Sequence, residues 1–330
     1  MITANITPAF RNALCIAMSA ALLSCGGTEQ KTAEVQAEKP KPYERISPEF
    51  SADSAYYFVE KQLTFGPRVT NTEAHKKCGD WMVTELKKYT DRVVEQRARV
   101  TNFDGKPLDI RNIIGVINPK ATRRILLCAH WDSRPYADED QIDRDKPILG
   151  ANDGASGVAV LMQLAAVLKY KPVDVGVDIV LFDAEDLGKS QFEDSYCLGS
   201  QYWSKNLHVP GYKAEFGILL DMVGASGATF AWEEQSVLYA QDVLRLVWDK
   251  AHKLGYGNYF VYLQKGGITD DHVYVNEYAK IPTIDIIHYD QRTRSGFPEH
   301  WHTHRDNLNA IDRNTLKAVG QTLLEVLYTF

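Results

Sequence analysis

The sequence predicts a single α/β domain with a mostly parallel sheet lying between layers of helices. Short runs dense in β-branched and aliphatic residues, the mark of strands buried on both faces, recur at 113–117, 125–129, 177–182, 217–220 and 281–287. Helical apolar periodicity covers 51–64, 73–89, 154–170, 237–254 and 313–328. Strands that alternate with helices can pair in parallel, because each helix carries the chain back across the sheet. Two further strands are expected at 93–100 and 259–262, and one domain over residues 43–330 accounts for every element.

Composition bounds the rest. With 330 residues, 45% hydrophobic and 24% charged, the chain is that of an ordinary globular protein. A net charge of −6 supplies no basic stripe, which argues against nucleic acid as a partner. Residues 1–24 read as an export signal: Arg11 precedes an apolar run over 13–23, too short to span a bilayer, which ends in Leu22-Leu23-Ser24-Cys25. That ending resembles a bacterial lipobox, in which Cys25 is lipidated and becomes the amino terminus. The plainer alternative is a cleaved signal with an incidental cysteine. Residues 25–48, rich in Lys, Glu, Gln, Thr and Pro, cannot bury a core and read as a tether. The expected location is the periplasmic side of the inner or outer membrane, touched only through the lipid, with a monomer favoured. Cys78, Cys128 and Cys197 remain for the domain, so at most one disulfide can form. Buried, inert thiols are the expectation.

Three apolar strands run into acidic or histidine-bearing turns: His130-Trp131-Asp132-Ser133, Asp183-Ala184-Glu185-Asp186 and Asp221-Met222-Val223-Gly224. In open α/β sheets the ligand site lies beyond the carboxyl ends of the strands, so these groups should converge there. Taken singly, each acid reads as a solvated loop residue or a helix cap. Together with Asp153 in Asn152-Asp153-Gly154-Ala155-Ser156-Gly157 and the loop Glu299-His300-Trp301-His302-Thr303-His304, they read as one site. Carboxylates with imidazole and no thiolate suit Zn²⁺, whereas Mg²⁺ prefers oxygen alone. No Gly-x-Ser-x-Gly elbow, His-Glu-x-x-His helix or phosphate loop competes with this reading.

The order His130-x-Asp132, Asp153, Glu185-Asp186, Asp221, His302 resembles the zinc aminopeptidase clan, which includes leucyl aminopeptidases and the bacterial-type glutaminyl cyclases. The resemblance implies a mixed, mostly parallel sheet flanked by helices, as in aminopeptidase-like and phosphorylase/hydrolase-like folds. It implies Asp153, Asp186 and His302 as ligands of one zinc, and Glu185 as general acid/base. Relatives more often carry Glu where Asp186 stands, so the carboxylate is shorter here. The loop Gly266-Gly267-Ile268-Thr269-Asp270-Asp271-His272 has the Asp-Asp-His of the cyclases rather than the Ser-Asp-His of the peptidases. Asp270 would then join Glu185 and Asp221 in an acid network, with His130, Asp132 and Asp271 as hydrogen-bonding groups behind it. Trp301, with Trp203 or Trp232, would wall the pocket for an N-terminal glutamine.

The implied reaction converts the N-terminal glutamine of a peptide to pyroglutamate and releases ammonia. Its nucleophile is the substrate's own amine, so no metal-activated water is required. Two rivals stay open at this point. One is an aminopeptidase holding two zincs, with His130 and Asp221 completing the second site. The other is a lipoprotein that keeps the fold as a non-catalytic binding module.

Overall fold

A computed structural model describes residues Tyr43–Phe330. The proposed signal, the lipidation site Cys25 and the tether up to Pro42 lie outside the described residues. From Tyr43 the chain is already held. The Glu325 carboxylate accepts from Tyr43 Oη at 2.6 Å and from the Ser47 amide at 2.9 Å, and Gln321 accepts from the Phe50 amide.

Two helices open the domain, α1 (Ala52–Leu63) and α2 (Glu73–Tyr89). Each begins where the sequence offers a cap: Ser51 Oγ accepts from the Ser54 amide, and Thr72 Oγ1 from the His75 amide. A hairpin follows, β1 (Arg92–Thr101) and β2 (Pro107–Ile117), turned where Asn102 accepts the amides of Asp104 and Lys106. Next come β3 (Arg124–His130), α3 (Ala155–Tyr170), β4 (Gly176–Phe182), α4 (Leu198–Lys205) and β5 (Phe216–Asp221). The second half adds β6 (Phe230–Trp232), α5 (Glu234–Lys253), β7 (Phe260–Gln264) and α6 (Asp271–Tyr274), the last widening into a π turn at Val275–Ala279. Then β8 (Thr283–Ile287) and α7 (Arg313–Thr329) close the chain.

The main sheet runs β1-β2-β4-β3-β5-β8, with β6 and β7 as a separate parallel pair. Strands β4, β3, β5 and β8 are parallel, whereas β2 is antiparallel to both β1 and β4. The parallel part is therefore the half that carries the chemistry. The hairpin turns back directly instead of crossing through a helix, which makes the sheet mixed.

Alternation along the strands sends side chains to two cores. Ile125, Leu127 and Ala129 of β3 join Val177, Ile179 and Leu181 under α1, α2, α3, α5 and α7. Leu126 and Cys128 meet Val180, Phe182, Trp203 and Tyr212 on the opposite face. Burial on both faces explains why these strands read as unbroken apolar runs. Cys78, Cys128 and Cys197 are free thiols and all are buried, so no disulfide links them. Among the described residues, no helix is long and apolar enough to cross a membrane.

Candidate active site

Strands β3, β4 and β5 end side by side, and the turns that leave them carry the predicted groups to one edge. The backbone is forced there. Ala184, Met222 and His302 have φ of 56°, 49° and 54°, in the left-handed region that side chains other than glycine seldom occupy. Gly154, with φ 94°, starts α3 where a Cβ would stand 2.6 Å from the Asp132 carbonyl oxygen. That close approach seats Asp153 against the strand edge.

Asp153, Asp186 and His302 each offer a donor atom within 4.8 Å of the others. Nε2 of His302 lies 3.3 Å from Asp186 Oδ1 and 3.8 Å from Asp153 Oδ2. The opposite ring nitrogen, Nδ1, sits 3.2 Å from Asp138 Oδ1, which orients the ring and leaves Nε2 facing the two carboxylates. Arg134 spans the outer side, donating to Asp186 Oδ1 at 3.1 Å and to both oxygens of Asp138. Asp132 accepts the amides of Glu185 and Asp186, and Asp306 accepts those of Asn152 and Asp153. Each turn is thus pinned by a buried carboxylate behind it. The fit to a metal ion rests on one orphan: Asp186 Oδ2 is buried and has no hydrogen-bond partner. An ionised oxygen in that condition is costly unless a cation meets it. The mixed nitrogen and carboxylate set matches zinc.

His130 belongs to a second group. Its Nε2 lies 3.1 Å from Asp153 Oδ1 and 3.2 Å from Asp221 Oδ1, and these three residues also offer donors within 4.8 Å of one another. Asp153 is common to both groups.

Glu185 projects next to this edge, with Cys197 Sγ–H donating to its Oε1 at 3.3 Å and Asp270 in the same cluster. Burial raises the Glu185 carboxyl well above the ordinary range; the charges of Asp186, Asp270 and Asp271 add to it, and His130 opposes it. Asp270 is pushed up to about 6, by burial first and then by the charge of Asp221. Asp271 begins α6, is fully buried and gives its amide to Asp270 Oδ1.

A cavity of 570 Å³ opens over these groups. Trp301 lines it, stacked on the His302 ring at 3.7 Å and packed on Phe297 at 4.7 Å. Ile268, Met222, Tyr274 and Ile287 complete an apolar wall. The other two tryptophans do not reach it. Trp203 is buried in the opposite core, edge-on to Phe182 and donating to His208 Nδ1. Trp232 packs against the main core and edge-on to Tyr262. Residues unforeseen in the sequence include Arg134, Asp138, Cys197 and Tyr196, which lines the cavity with its ring beneath the Arg134 guanidinium. Only the Arg134-to-Asp138 spacing, four residues apart, carried any signal.

Comparison with known proteins fits this geometry. Residues 112–327 match Peptidase family M28. The chain belongs to that family. Among solved structures, the Tannerella forsythia glutaminyl cyclase is 51% identical with a TM-score of 0.84, covering 86% of this chain and 100% of that one. A Zn-dependent exopeptidase from Parabacteroides distasonis gives the same identity, TM-score and coverage. Aminopeptidase YwaD of Bacillus subtilis is 31% identical over 229 residues, 66% of this chain. The match spans 44% of that relative's length. Proteins similar to this chain thus lie on both sides of the choice between cyclase and peptidase.

Proposed function

We propose that this M28 protein is a zinc-dependent glutaminyl-peptide cyclotransferase. The observation that carries the reading is Asp270 brought beside Glu185, at the position where the sequence has the Asp-Asp-His of the cyclases. Asp153, Asp186 and His302 would hold the ion. Bound there, Zn²⁺ supplies Lewis acidity toward the side-chain carbonyl oxygen of an N-terminal glutamine.

The protein's own groups move the proton. Glu185, the base, takes a proton from the substrate α-amine as the amine nitrogen bonds to the side-chain carbonyl carbon. It returns that proton to the amide nitrogen, which leaves as ammonia. A raised carboxyl suits both halves of this transfer. Asp221 and Asp270 hold Glu185 in place, while Trp301 and Phe297 keep water from the reacting carbon.

The group His130, Asp153 and Asp221 favours a second reading, a two-zinc aminopeptidase. Zinc analysis with two substrates separates them. One zinc per chain and ammonia from a Gln-peptide support the cyclase. Two zincs and leucine released from a chromogenic amide overturn it.

The same reading includes export as a lipoprotein anchored through Cys25 on the periplasmic face of a membrane. Substituting Cys25→Ala should abolish fatty-acid labelling and release the protein from membranes. Labelling that survives contradicts the anchor.

A further inference from the structure

The three buried thiols are not placed alike. Cys78 packs in the helix-covered core, and Cys128 turns its sulfur to the Ile218 carbonyl oxygen at 3.7 Å. Cys197 instead meets an ionisable side chain, its Sγ–H donating to Glu185 Oε1 at 3.3 Å. Among the described residues, no other group hydrogen-bonds to the Glu185 carboxylate. The second oxygen, Oε2, lies 4.0 Å from His130 Nδ1, beyond hydrogen-bond reach.

The backbone holds the same pair together. The Cys197 amide donates to the Glu185 carbonyl at 2.9 Å, and the Leu198 amide to the Ala184 carbonyl at 3.0 Å. The start of α4 is thereby laced to the turn that carries Glu185. Cys197 and Ala184 both take left-handed backbone there, with φ of 57° and 56°. Side chains in that region cost strain, which the surrounding structure must sustain. The strained pairing delivers the sulfur to the carboxylate beside it.

A general base works when one oxygen stays aimed at the proton it moves. Glutamate is a flexible side chain, and Glu185 lines an open cavity, so its aim must come from a neighbour. We propose that Cys197 is a positioning residue for Glu185: its thiol occupies Oε1 and leaves Oε2 to exchange the proton with the substrate. Cys197 is fully buried and does not line the cavity, so it acts only through Glu185. The inference rests on the reading of Glu185 as the base.

The test compares full-length, zinc-loaded wild type with C197A and C197S, and repeats C197A in an E185D background. C197A should lower kcat by about 10-fold at unchanged KM, the loss expected when a hydrogen bond to a charged group disappears. Serine keeps a donor on the same carbon, so C197S should hold kcat within about 3-fold of wild type. E185D keeps a carboxylate but draws it back from the sulfur, so C197A should there have no further effect. Wild-type kcat in C197A, a C197S as impaired as C197A, or an undiminished effect in E185D would each overturn the assignment.

A second readout needs no turnover. The infrared difference between wild type and C197A isolates the S–H stretch of Cys197, which a bond to a carboxylate moves to lower frequency. The same difference taken in an E185A background should show that band at the higher frequency of an unbonded thiol. A band indifferent to residue 185 refutes the proposal. A wild type that releases leucine from the amide and no ammonia from a Gln-peptide overturns the cyclase reading instead. The same variants, assayed on the amide, then still decide whether the thiol aims the base.

Discussion

The parallel strands carry buried carboxylates at both ends, and the two ends treat them in opposite ways. At the amino end, Asp178 of β4 is fully satisfied. Arg124 grips both its oxygens, at 2.6 and 2.8 Å, and Tyr212 Oη donates at 2.9 Å. At the carboxyl end, Asp186 Oδ2, Asp270 Oδ2 and His130 Nδ1 are buried without partners. A closed network holds the fold, whereas one left open keeps donors ready for an ion or a substrate. Asp183 makes the same point at close range. Two residues before Glu185, it is closed by His75, Thr70 and the Arg111 amide, and it anchors the turn on which Glu185 sits.

Substitutions at the two ends should therefore separate activity from stability. The largest effect is expected at Glu185. E185Q should lower kcat for ammonia release by about 10²–10⁴-fold, the usual weight of a general acid/base, with zinc content unchanged by metal analysis. Retained turnover would remove the proposed base. At the other end, D178A strands the Arg124 charge and should cost about 3–5 kcal/mol in urea unfolding, with kcat per folded molecule unaltered. Between these lies D138A, which frees the His302 ring without touching a ligand atom. Zinc affinity should fall by about 10–100-fold in competition with a chelator.

The smallest effect concerns pH and a third carboxylate, Glu233. Burial pushes it up, but His272 and the amides of Gln235 and Ser236 outweigh burial and bring it from the usual 4.5 to about 2. A depressed acid stabilises the fold above its unfolded value and loses that contribution as pH falls toward its folded value. Urea melts of wild type should therefore weaken more steeply between about pH 4.5 and 2 than those of E233Q. Parallel slopes would show that the Glu233 pairing contributes nothing.

The legible part of the sequence was the part with a pattern. Strands buried on both faces produce continuous apolar runs, and the polar residues that interrupt them, His130, Asp183–Asp186 and Asp221, mark where the chain leaves the sheet. What had no pattern was missed. Helix α4 has only eight residues and opens on Cys197 in a left-handed conformation, so neither a cap nor a period announced it. Trp203 lies on that helix and faces the core; an aromatic residue there reads the same whether it walls a pocket or fills one. Asp285 sits inside an apolar strand, and the groups it meets, Asp270 and His272, come from a separate segment at the start of α6. Contacts between distant elements leave no trace in local composition.

Zinc titration of the metal-free protein, wild type beside H302A, tests most directly whether the open carboxyl edge gathers donors around an ion. Wild type should bind tightly, and H302A should lose that tight binding while unfolding at a similar urea concentration. Equal zinc affinity in the two proteins would contradict a site built on the His302 ring.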